Sequence, residues 1–549
     1  MKRFLITFVA LAVSGLQLSG QQLPRLENKD GHYAFTVDGK PFLMLGAQIN
    51  NSSSWPAALK TAWPALEAMH VNTVEAPVYW EQMEPSPGQF DFSTVDLLIQ
   101  GAREHNLRLV ILWFGTWKNG QNHYVPEWIK SDTKKYPRQI SAYGKMLDVM
   151  SPNSSVNLDA DKHAFAALMR HIREADSTRH TVIMMQVENE SGGIGSVRDY
   201  SAAARKLFAA NVPEVLTSAL HHKQGTWEQV FGADADERFA AFSTASYINE
   251  VAKAGKAEYP IPMYCNVWLT YPVHALENRN RASAGQEYPS GGPQQQNIDL
   301  WKIAAPSIDI LAPDFYSDDV PFFHSVVSAY ARPDNALLIP ETGLSKNGIG
   351  PYFFYALGHG SIGFSPFGVD YTGWSHFEDG KMPEWLSQNF ALVAPMQQQI
   401  AEWNLAGKLQ TAVEEKGTPR TELHFGNVDA VVSFGYPQHD GEQPPGTPDL
   451  QGRAMVAQIA PMEFVVTGFE ASVSFVQDSA AGDKTQTQQV EILRADEGQY
   501  INGAWQTSRI WNGDQTDRGL NFRGSSPQVI RIRLHEIPLY DGDSGRSSR

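Results

Sequence analysis

Glu188, Glu190 and Glu341 are the residues whose type and surroundings could do chemistry in this sequence. The stretch TVIMMQVENESGG, residues 181 to 193, is an apolar run that leads directly into Glu188 and Glu190. A second apolar run, ALLIPETG, leads into Glu341. A retaining glycosidase needs two carboxyl groups roughly 5 to 5.5 Å apart, because one attacks the anomeric carbon and the other transfers the proton. The fold would have to bring these two strand ends together.

The elements that could do so are short apolar runs that alternate with amphipathic helical stretches between about residues 40 and 400. This alternation predicts parallel strands connected by helices, and eight strands favour a (β/α)8 TIM barrel over a doubly wound sheet. The predicted strands are 42–45, 71–77, 107–113, 182–187, 262–268, 308–312, 336–339 and 360–364.

A TIM barrel carries its functional groups at the carboxyl ends of its strands. Glu190 then follows the fourth strand and Glu341 follows the seventh, so the two carboxyl groups face each other across the barrel mouth. Strict strand alternation points Glu188 and Glu190 the same way, so periodicity alone does not choose between them. A lone glutamate at a strand end is more often solvated or salt-bridged, but two on these particular strands favour catalysis.

The sequence pattern changes after residue 405. Runs such as RAMVAQIA and VIRIRLH alternate apolar and polar residues between Gly, Pro and Asp turns, which predicts an antiparallel β-sandwich. We therefore expect a signal peptide at 1–20, the barrel at 21–405, the sandwich at 406–540 and a disordered tail at 541–549. The loop 435–449 is a linker or a rim of the cleft.

The net charge and the N-terminal segment indicate where the protein acts and which classes of partner it binds. The opening MKRFLITFVALAVSGLQLSGQQ is typical of a secretory signal peptide, and we expect no membrane anchor in the mature chain. The only cysteine, Cys265, leaves no intramolecular disulfide, which favours a bacterial periplasmic or secreted protein. The net charge of −16 disfavours nucleic acid as a partner. Composition does not indicate the oligomeric state.

Several motifs resemble glycoside hydrolase family 35, the β-galactosidases. QVENESG is similar to the family's QVENEYG motif, and VYWEQMEPSPGQFDF is similar to the stretch that follows its second strand. DGKPFLMLG resembles its opening strand. The resemblance covers residues 28 to 375, and it implies a retaining (β/α)8 glycosidase that acts on a carbohydrate.

The resemblance also implies roles for individual residues. Glu190, directly after Asn189, would be the acid/base; Asn189 would hydrogen-bond the sugar 2-hydroxyl; Glu188 would be a supporting carboxylate. Glu341 would be the nucleophile, and Tyr316 in LAPDFYSDD would hydrogen-bond it.

Three further residues follow predicted strands and are candidates for sugar binding. Trp117, after the third strand, is a candidate for stacking on a sugar ring, although buried aromatic residues are common. Asn50 and Gln48, after the first strand, are candidates for binding hydroxyl groups.

The chain departs from the family at Pro77, where a tyrosine is usual, at LWFGTW and at Phe364 or Phe367. These positions surround the sugar in the family, so the departures affect the expected preference for galactose more than the expected glycosidase activity. The expected activity is a retaining exo-β-galactosidase of a divergent bacterial branch, which by analogy would act on plant polysaccharides such as xyloglucan side chains. It requires no cofactor or metal. The alternatives are a retaining β-glycosidase for another sugar and a non-catalytic carbohydrate-binding protein.

Overall fold

Eight parallel strands close into a barrel in the N-terminal two thirds of the computed structural model. Their spatial order is β10-β11-β12-β13-β4-β5-β6-β9, with parallel pairing around the ring. The predicted TIM barrel is therefore confirmed. The barrel strands are β4 (Met44–Gln48), β5 (Thr73–Tyr79), β6 (Arg108–Lys118), β9 (Val182–Asn189), β10 (Met263–Trp268), β11 (Ile310–Phe315), β12 (Leu338–Thr342) and β13 (Gly363–Pro366).

Helices surround this barrel because each carries one apolar face against the outer side of the strands. They are α1 (Pro56–Ala68), α2 (Trp80–Met83), α3 (Ser93–Glu104), α4 (Glu127–Lys130), α5 (Ser155–Asp176), α6 (Ala202–Ala209), α7 (Glu214–Ala219), α8 (Trp227–Phe231), α9 (Ala235–Glu258), α10 (Ile298–Ala304), α11 (Val320–Tyr330), α12 (Ile349–Gly358), α13 (Glu384–Val393) and α14 (Gln397–Leu405).

The barrel interior is closed at its amino end by a small antiparallel sheet, β1 (Arg25–Lys29), β2 (His32–Val37) and β3 (Lys40–Phe42). Phe35 and Val37 of β2 pack against inward side chains such as Leu112, Met184 and Leu338. This apolar plug leaves the carboxyl ends of the strands as the open end. A short hairpin, β7 (Arg138–Ile140) with β8 (Met146–Met150), follows β6.

The C-terminal part forms two antiparallel sheets, which confirms the predicted sandwich. One sheet has the order β14-β17-β18-β23-β20-β21 and the other β15-β16-β19-β22. The strands are β14 (Leu409–Val413), β15 (Arg420–Phe425), β16 (Val428–Phe434), β17 (Arg453–Ala460), β18 (Glu463–Phe469), β19 (Ala471–Gln477), β20 (Gln489–Ile501), β21 (Ala504–Trp511), β22 (Leu520–Phe522) and β23 (Val529–Ile537).

The sandwich is packed onto the outer helices of the barrel. Leu409 and Phe469 belong to the same buried cluster as the barrel helices. The buried Arg453 donates to Asn389 Oδ1 at 2.9 Å, and its guanidinium lies 4.1 Å from the ring centre of Phe469. These contacts join α12 and α13 to β14, β17 and β18. The exact domain boundary at residue 405 stays a prediction.

The structure describes residues 22–272, 283–343, 349–370, 384–436, 443–477, 489–517, 519–523 and 528–537. The predicted signal peptide, the predicted tail and part of the 435–449 loop lie outside the described residues. Within those ranges, no helix has both the length and the apolar composition needed to cross a bilayer.

Candidate active site

Two predicted carboxyl groups meet at the open end of the barrel. Glu190 directly follows β9, and Glu341 lies in β12. Together with Asp314 of β11 they place carboxyl oxygens within 4.8 Å of one another. This separation is far below the 6.5 to 9.5 Å, roughly, that an inverting glycosidase needs for a water molecule between its carboxyl groups. The geometry therefore fits a direct attack on C1 by one carboxylate.

The backbone at the end of β9 separates Glu190 from Glu188. Both residues have positive φ angles, +64° at Glu188 and +44° at Glu190, so regular strand alternation ends here. Glu188 points away from Glu341 and accepts a hydrogen bond from the Trp117 backbone N–H at 2.7 Å. The expectation that the two glutamates point the same way is wrong because these left-handed conformations break the two-residue period.

Glu188 belongs to a buried cluster behind the site. Burial and the neighbouring Asp161 raise the pKa of Glu188 well above its usual value. Asp161 in turn accepts hydrogen bonds from Trp113 Nε1 at 3.0 Å and from the Thr116 hydroxyl at 2.6 Å. This network holds the end of β6 against α5. Glu188 thus supports the strand ends and is not among the groups that raise the proton affinity of Glu190.

Glu190 has the protonation state of a general acid. It is buried, and burial together with the charge of Glu341 raises its pKa from 4.5 to about 8. The Lys118 ammonium lowers the pKa of Glu190, but by less than burial and Glu341 raise it. At neutral pH Glu190 therefore carries a proton that it can donate to a leaving group.

Glu341 is held by one hydrogen bond on each carboxyl oxygen. The Tyr316 hydroxyl donates to Oε1 at 2.5 Å, and Gln48 Nε2 donates to Oε2 at 3.1 Å. The two hydrogen bonds fix the orientation of the Glu341 carboxyl group. Tyr316 thus makes the contact predicted for it, and Gln48 contacts the carboxylate as well.

A further carboxyl group lies below Glu341 inside the barrel. Burial raises the pKa of Glu75 to about 8, so it is neutral at pH 7. It accepts hydrogen bonds from the Ser365 hydroxyl at 2.5 Å and from the Tyr264 hydroxyl at 3.3 Å. A neutral Glu75 adds no second negative charge beneath Glu341.

Asn189 lies beside the proposed acid. Its Oδ1 accepts a hydrogen bond from Lys118 Nζ at 2.8 Å, which turns the amide so that Nδ2 faces away from the lysine. Nδ2 is buried and has no acceptor among the described residues. An amide donor in that state is suited to a ligand hydroxyl, the role predicted for Asn189.

Asp314 is a member of this site that sequence reasoning missed. It accepts a hydrogen bond from Asn266 Nδ2 at 2.7 Å, and Asn266 Oδ1 accepts the backbone N–H of Glu190 at 2.9 Å. Asp314 was overlooked because the sixth strand was predicted to end at Ala312, whereas β11 continues to Phe315. A strand that continues through PDF brings this carboxyl group to the barrel mouth.

The three clustered carboxyl groups are close enough to bind a cation as well. Two facts disfavour that interpretation. The Lys118 ammonium lowers the pKa of both Glu190 and Asp314, so it acts as the local positive charge. Burial and the negative charge of Glu341 nevertheless raise the pKa of both groups, to about 8 for Glu190, and a protonated carboxyl group is a poor metal ligand.

A cavity of about 310 Å³ opens above these groups, at the low end of the range for small-molecule sites. Its lining combines carboxyl and amide groups with aromatic rings, as carbohydrate recognition requires. The lining residues are Asn51, Lys118, Asn119, Glu190, Trp268, Leu269, Tyr271, Asp314, Tyr316, Glu341 and Phe367. In the described part of the chain, the sandwich contributes nothing to this lining.

Two predicted sugar contacts do not fit the structure. Trp117 is 0% exposed and packs edge-on against Tyr247 at 4.9 Å, so the predicted stacking role is wrong. The physical reason is that β6 continues to Lys118, which sends Lys118 into the cavity and Trp117 to the opposite face. Asn50 donates to Asp370 Oδ1 at 2.5 Å, and its neighbour Asn51 lines the cavity instead.

Comparison with protein families gives two matches. Residues 34–268, which contain five of the eight barrel strands (β4, β5, β6, β9 and β10), match the family model described as "Glycosyl hydrolases family 35". Residues 386–523 match a domain of unknown function, DUF5597. That second match covers most of α13, all of α14 and most of the sandwich.

Two curated relatives are similar to part of this chain. A "Beta-galactosidase" from Xanthomonas manihotis is 26% identical over 216 residues, which are 37% of this chain and 32% of that protein. "Beta-galactosidase 8" from Oryza sativa subsp. japonica is 25% identical over 197 residues, 35% of this chain and 27% of that protein. The chain thus matches about a third of the length of these relatives.

Among solved structures, a β-galactosidase from Bacillus circulans sp. alkalophilus has a TM-score of 0.47 at 13% identity, over 65% of this chain and 57% of that one. A β-amylase catalytic domain from Paenibacillus polymyxa has a TM-score of 0.47 at 14% identity, over 64% of this chain and 98% of that one. The similarity to glycosyl hydrolases family 35 depends on the sequence match over residues 34–268, which includes the VENE stretch that ends in Glu190.

Proposed function

We propose that this protein is a retaining exo-β-galactosidase that acts by double displacement. The observation that carries the proposal is the pair formed by Glu190 and Glu341. Their carboxyl oxygens lie within 4.8 Å of each other, one carboxyl group is protonated at pH 7, and the other is oriented by two hydrogen-bond donors. A nucleophile and a general acid at that separation are the two groups that a retaining glycosidase requires.

In the first step, a Glu341 oxygen bonds to C1 of the sugar while the bond from C1 to the glycosidic oxygen breaks. The electron pair of that bond goes to the departing oxygen, which takes the Glu190 proton. In the second step, Glu190 removes a proton from water, the water oxygen bonds to C1, and the bond from C1 to Glu341 breaks. Both glutamates return to their starting protonation states.

The choice of galactose is supported by the names of the two curated relatives, both β-galactosidases, and by the family match. Exo action is supported by the cavity, in which the reacting carboxyl groups are buried below the mouth, as suits the terminal sugar of a chain. Terminal β-linked galactose on plant-type oligosaccharides or polysaccharides, including xyloglucan side chains, is the substrate we propose.

We further propose that the protein acts in the bacterial periplasm or outside the cell. The support is the basic and apolar N-terminal segment, residues 1–20, together with the single cysteine. Detection of the processed N-terminus in a periplasmic or culture fraction would test this location.

The test of function is hydrolysis of dinitrophenyl β-glycosides by the wild type, Glu341→Ala and Glu190→Ala, each with and without azide. We expect a preference for the galactoside and a loss of activity in both variants. Azide should restore turnover of each, with α-galactosyl azide from Glu341→Ala and β-galactosyl azide from Glu190→Ala.

The alternative results are equally informative. Preference for another sugar with the same two azide products would replace galactose and keep the mechanism. Binding of galactosides without turnover by the wild type would mean a carbohydrate-binding protein and would contradict the proposal.

A further inference from the structure

Asp314 is a third carboxyl group in the cavity, and the proposed double displacement assigns no task to it. It is 3% exposed and lies in the same 4.8 Å cluster as Glu190 and Glu341. One of its oxygens, Oδ2, accepts the Asn266 amide. The other, Oδ1, receives no nitrogen or hydroxyl donor among the described residues.

Glu190 has a matching vacant oxygen. Its Oε2 is buried and also receives no donor in the described part of the chain. The Asn266 side chain ties the two residues together, because it donates to Asp314 and accepts the Glu190 backbone N–H. Two ionised carboxylates held this close would repel each other strongly, and a proton between them removes that repulsion.

The surrounding charges indicate how many of the three carboxyl groups can be ionised at once. Among the described residues, the Lys118 ammonium is the cation that faces the cluster, and it balances one carboxylate. The other titratable groups nearby are Glu75, which is neutral at pH 7, and tyrosine hydroxyls with raised pKa values, which stay neutral: Tyr264, Tyr271, Tyr316 and Tyr330. Burial and the charges of Glu341 and Glu190 raise the pKa of Asp314 well above its usual value.

We propose that Asp314 keeps its proton throughout the reaction and donates a hydrogen bond to the Glu190 carboxylate that forms when Glu190 has protonated the leaving group. Asp314 is thus a positioning residue that acts through Glu190. This inference rests on the proposed function, because it assigns Glu190 the acid/base role.

The charge in the cluster then stays constant through the cycle. Before the reaction the single carboxylate is Glu341. After the first step Glu341 is an uncharged ester and the single carboxylate is Glu190, stabilised by the Asp314 O–H. In the second step Glu190 regains a proton from water and Glu341 leaves as the carboxylate. One negative charge faces Lys118 at each stage, and Asp314 exchanges no proton.

Two substitutions separate this role from its alternatives. In Asp314→Asn the amide oxygen can accept the Asn266 donor while the amide N–H points at Glu190, which imitates a protonated Asp314. In Asp314→Ala the donor is lost. Glu75→Gln is the matched control, since it replaces another buried and neutral carboxyl group of the barrel that does not contact Glu190.

We expect Asp314→Asn to retain kcat/KM within about threefold and to keep the alkaline limb of its pH profile. Asp314→Ala should lose about tenfold in kcat/KM on phenyl galactoside, whose departure needs a proton, and much less on dinitrophenyl galactoside. Its alkaline limb should rise by about one pH unit, the change that corresponds to a tenfold effect. Glu75→Gln should leave that limb in place.

An infrared difference spectrum of wild type minus Asp314→Asn at pH 7 tests the protonation state without turnover. We expect loss of a protonated carboxyl band. Loss of carboxylate bands instead, or a raised KM in Asp314→Asn with an unmoved alkaline limb, would make Asp314 an ionised acceptor for a sugar hydroxyl and overturn the inference. Unchanged kinetics in both variants would also overturn it. An inactive wild type that still shows the protonated band would contradict the proposed function instead.

Discussion

The substitution Glu190→Gln should stabilise the protein at neutral pH while it removes the proposed general acid. Burial and Glu341 raise the pKa of Glu190 from 4.5 to about 8 in the folded chain. Below pH 4.5 the group is neutral in both the folded and the unfolded chain. Between pH 4.5 and 8 only the unfolded chain ionises it, so the free energy of unfolding falls as the pH rises through this window.

The size of the effect follows from this difference of about 3.5 pH units. At roughly 1.4 kcal/mol per unit, ionisable Glu190 lowers the free energy of unfolding by about 3 kcal/mol at pH 7 and by about 5 kcal/mol at pH 8 and above. Glutamine has the same shape and does not ionise, so Glu190→Gln recovers this free energy. For a barrel of roughly 380 residues, 3 kcal/mol corresponds to about 4 °C in Tm.

The assay is scanning calorimetry of wild type and Glu190→Gln at pH 4.5, 6, 7 and 8. The difference in Tm between the two proteins should be near zero at pH 4.5 and should grow steadily to pH 8. Glu214→Gln, at the exposed start of α7, controls for the loss of one surface carboxylate. If the Tm difference of Glu190→Gln is the same at all four pH values, Glu190 is not a buried neutral acid and the reasoning fails.

Three further predictions concern the barrel strands and the groups at their carboxyl ends. The alkaline limb of the pH profile of kcat/KM should lie near pH 8, because the pKa of Glu190 sets it. Lys118→Met should move this limb to higher pH, because Lys118 lowers the pKa of Glu190. A limb that does not move in a pH–rate profile would contradict the assignment of Glu190 as the acid. Tyr316→Phe removes the 2.5 Å hydrogen bond to Glu341 and should lower kcat/KM by about 10- to 100-fold. Tyr33→Phe serves as the control, because it loses a hydrogen bond to the Pro333 carbonyl at the closed end of the barrel. Gly46→Ala should lower the free energy of unfolding by about 1–3 kcal/mol in a denaturant titration, because a Cβ at this position collides with the Ser365 hydroxyl. An unchanged midpoint would mean that β13 shifts to accommodate the methyl group without loss of stability.

The barrel could be predicted from sequence because its strands are continuous apolar runs and its connections have helical periodicity. The strand ends could not. Strands β6, β11 and β12 continue through polar residues to Lys118, Phe315 and Thr342, further than the apolar runs that predict them. The strand ladder satisfies the backbone groups of such residues whatever their side chains are, so hydrophobicity does not mark where pairing stops.

The same limit explains which site residues were found. Glu190 and Glu341 follow long apolar runs and carry recognisable neighbours, so position and motif agree. Asp314 lies inside PDF, where the predicted strand had already ended, and Trp117 was assigned to a loop that is strand in the structure. The positive φ angles at Glu188 and Glu190 could not be predicted from the alternation of the strand. Glycine, asparagine and aspartate are the residues that commonly indicate such a conformation, and glutamate is not among them.

The proposed double displacement requires a covalent bond between Glu341 and the sugar. The most direct measurement is incubation with 2-deoxy-2-fluoro-β-galactosyl fluoride, in which the fluorine slows the second step, followed by mass spectrometry of the intact protein and its peptides. We expect one sugar per chain, attached to Glu341 in the ALLIPETG peptide, with Glu341→Gln unlabelled. Attachment to Glu190 or Asp314, or a galactoside that is hydrolysed with inversion and without any label, would contradict it.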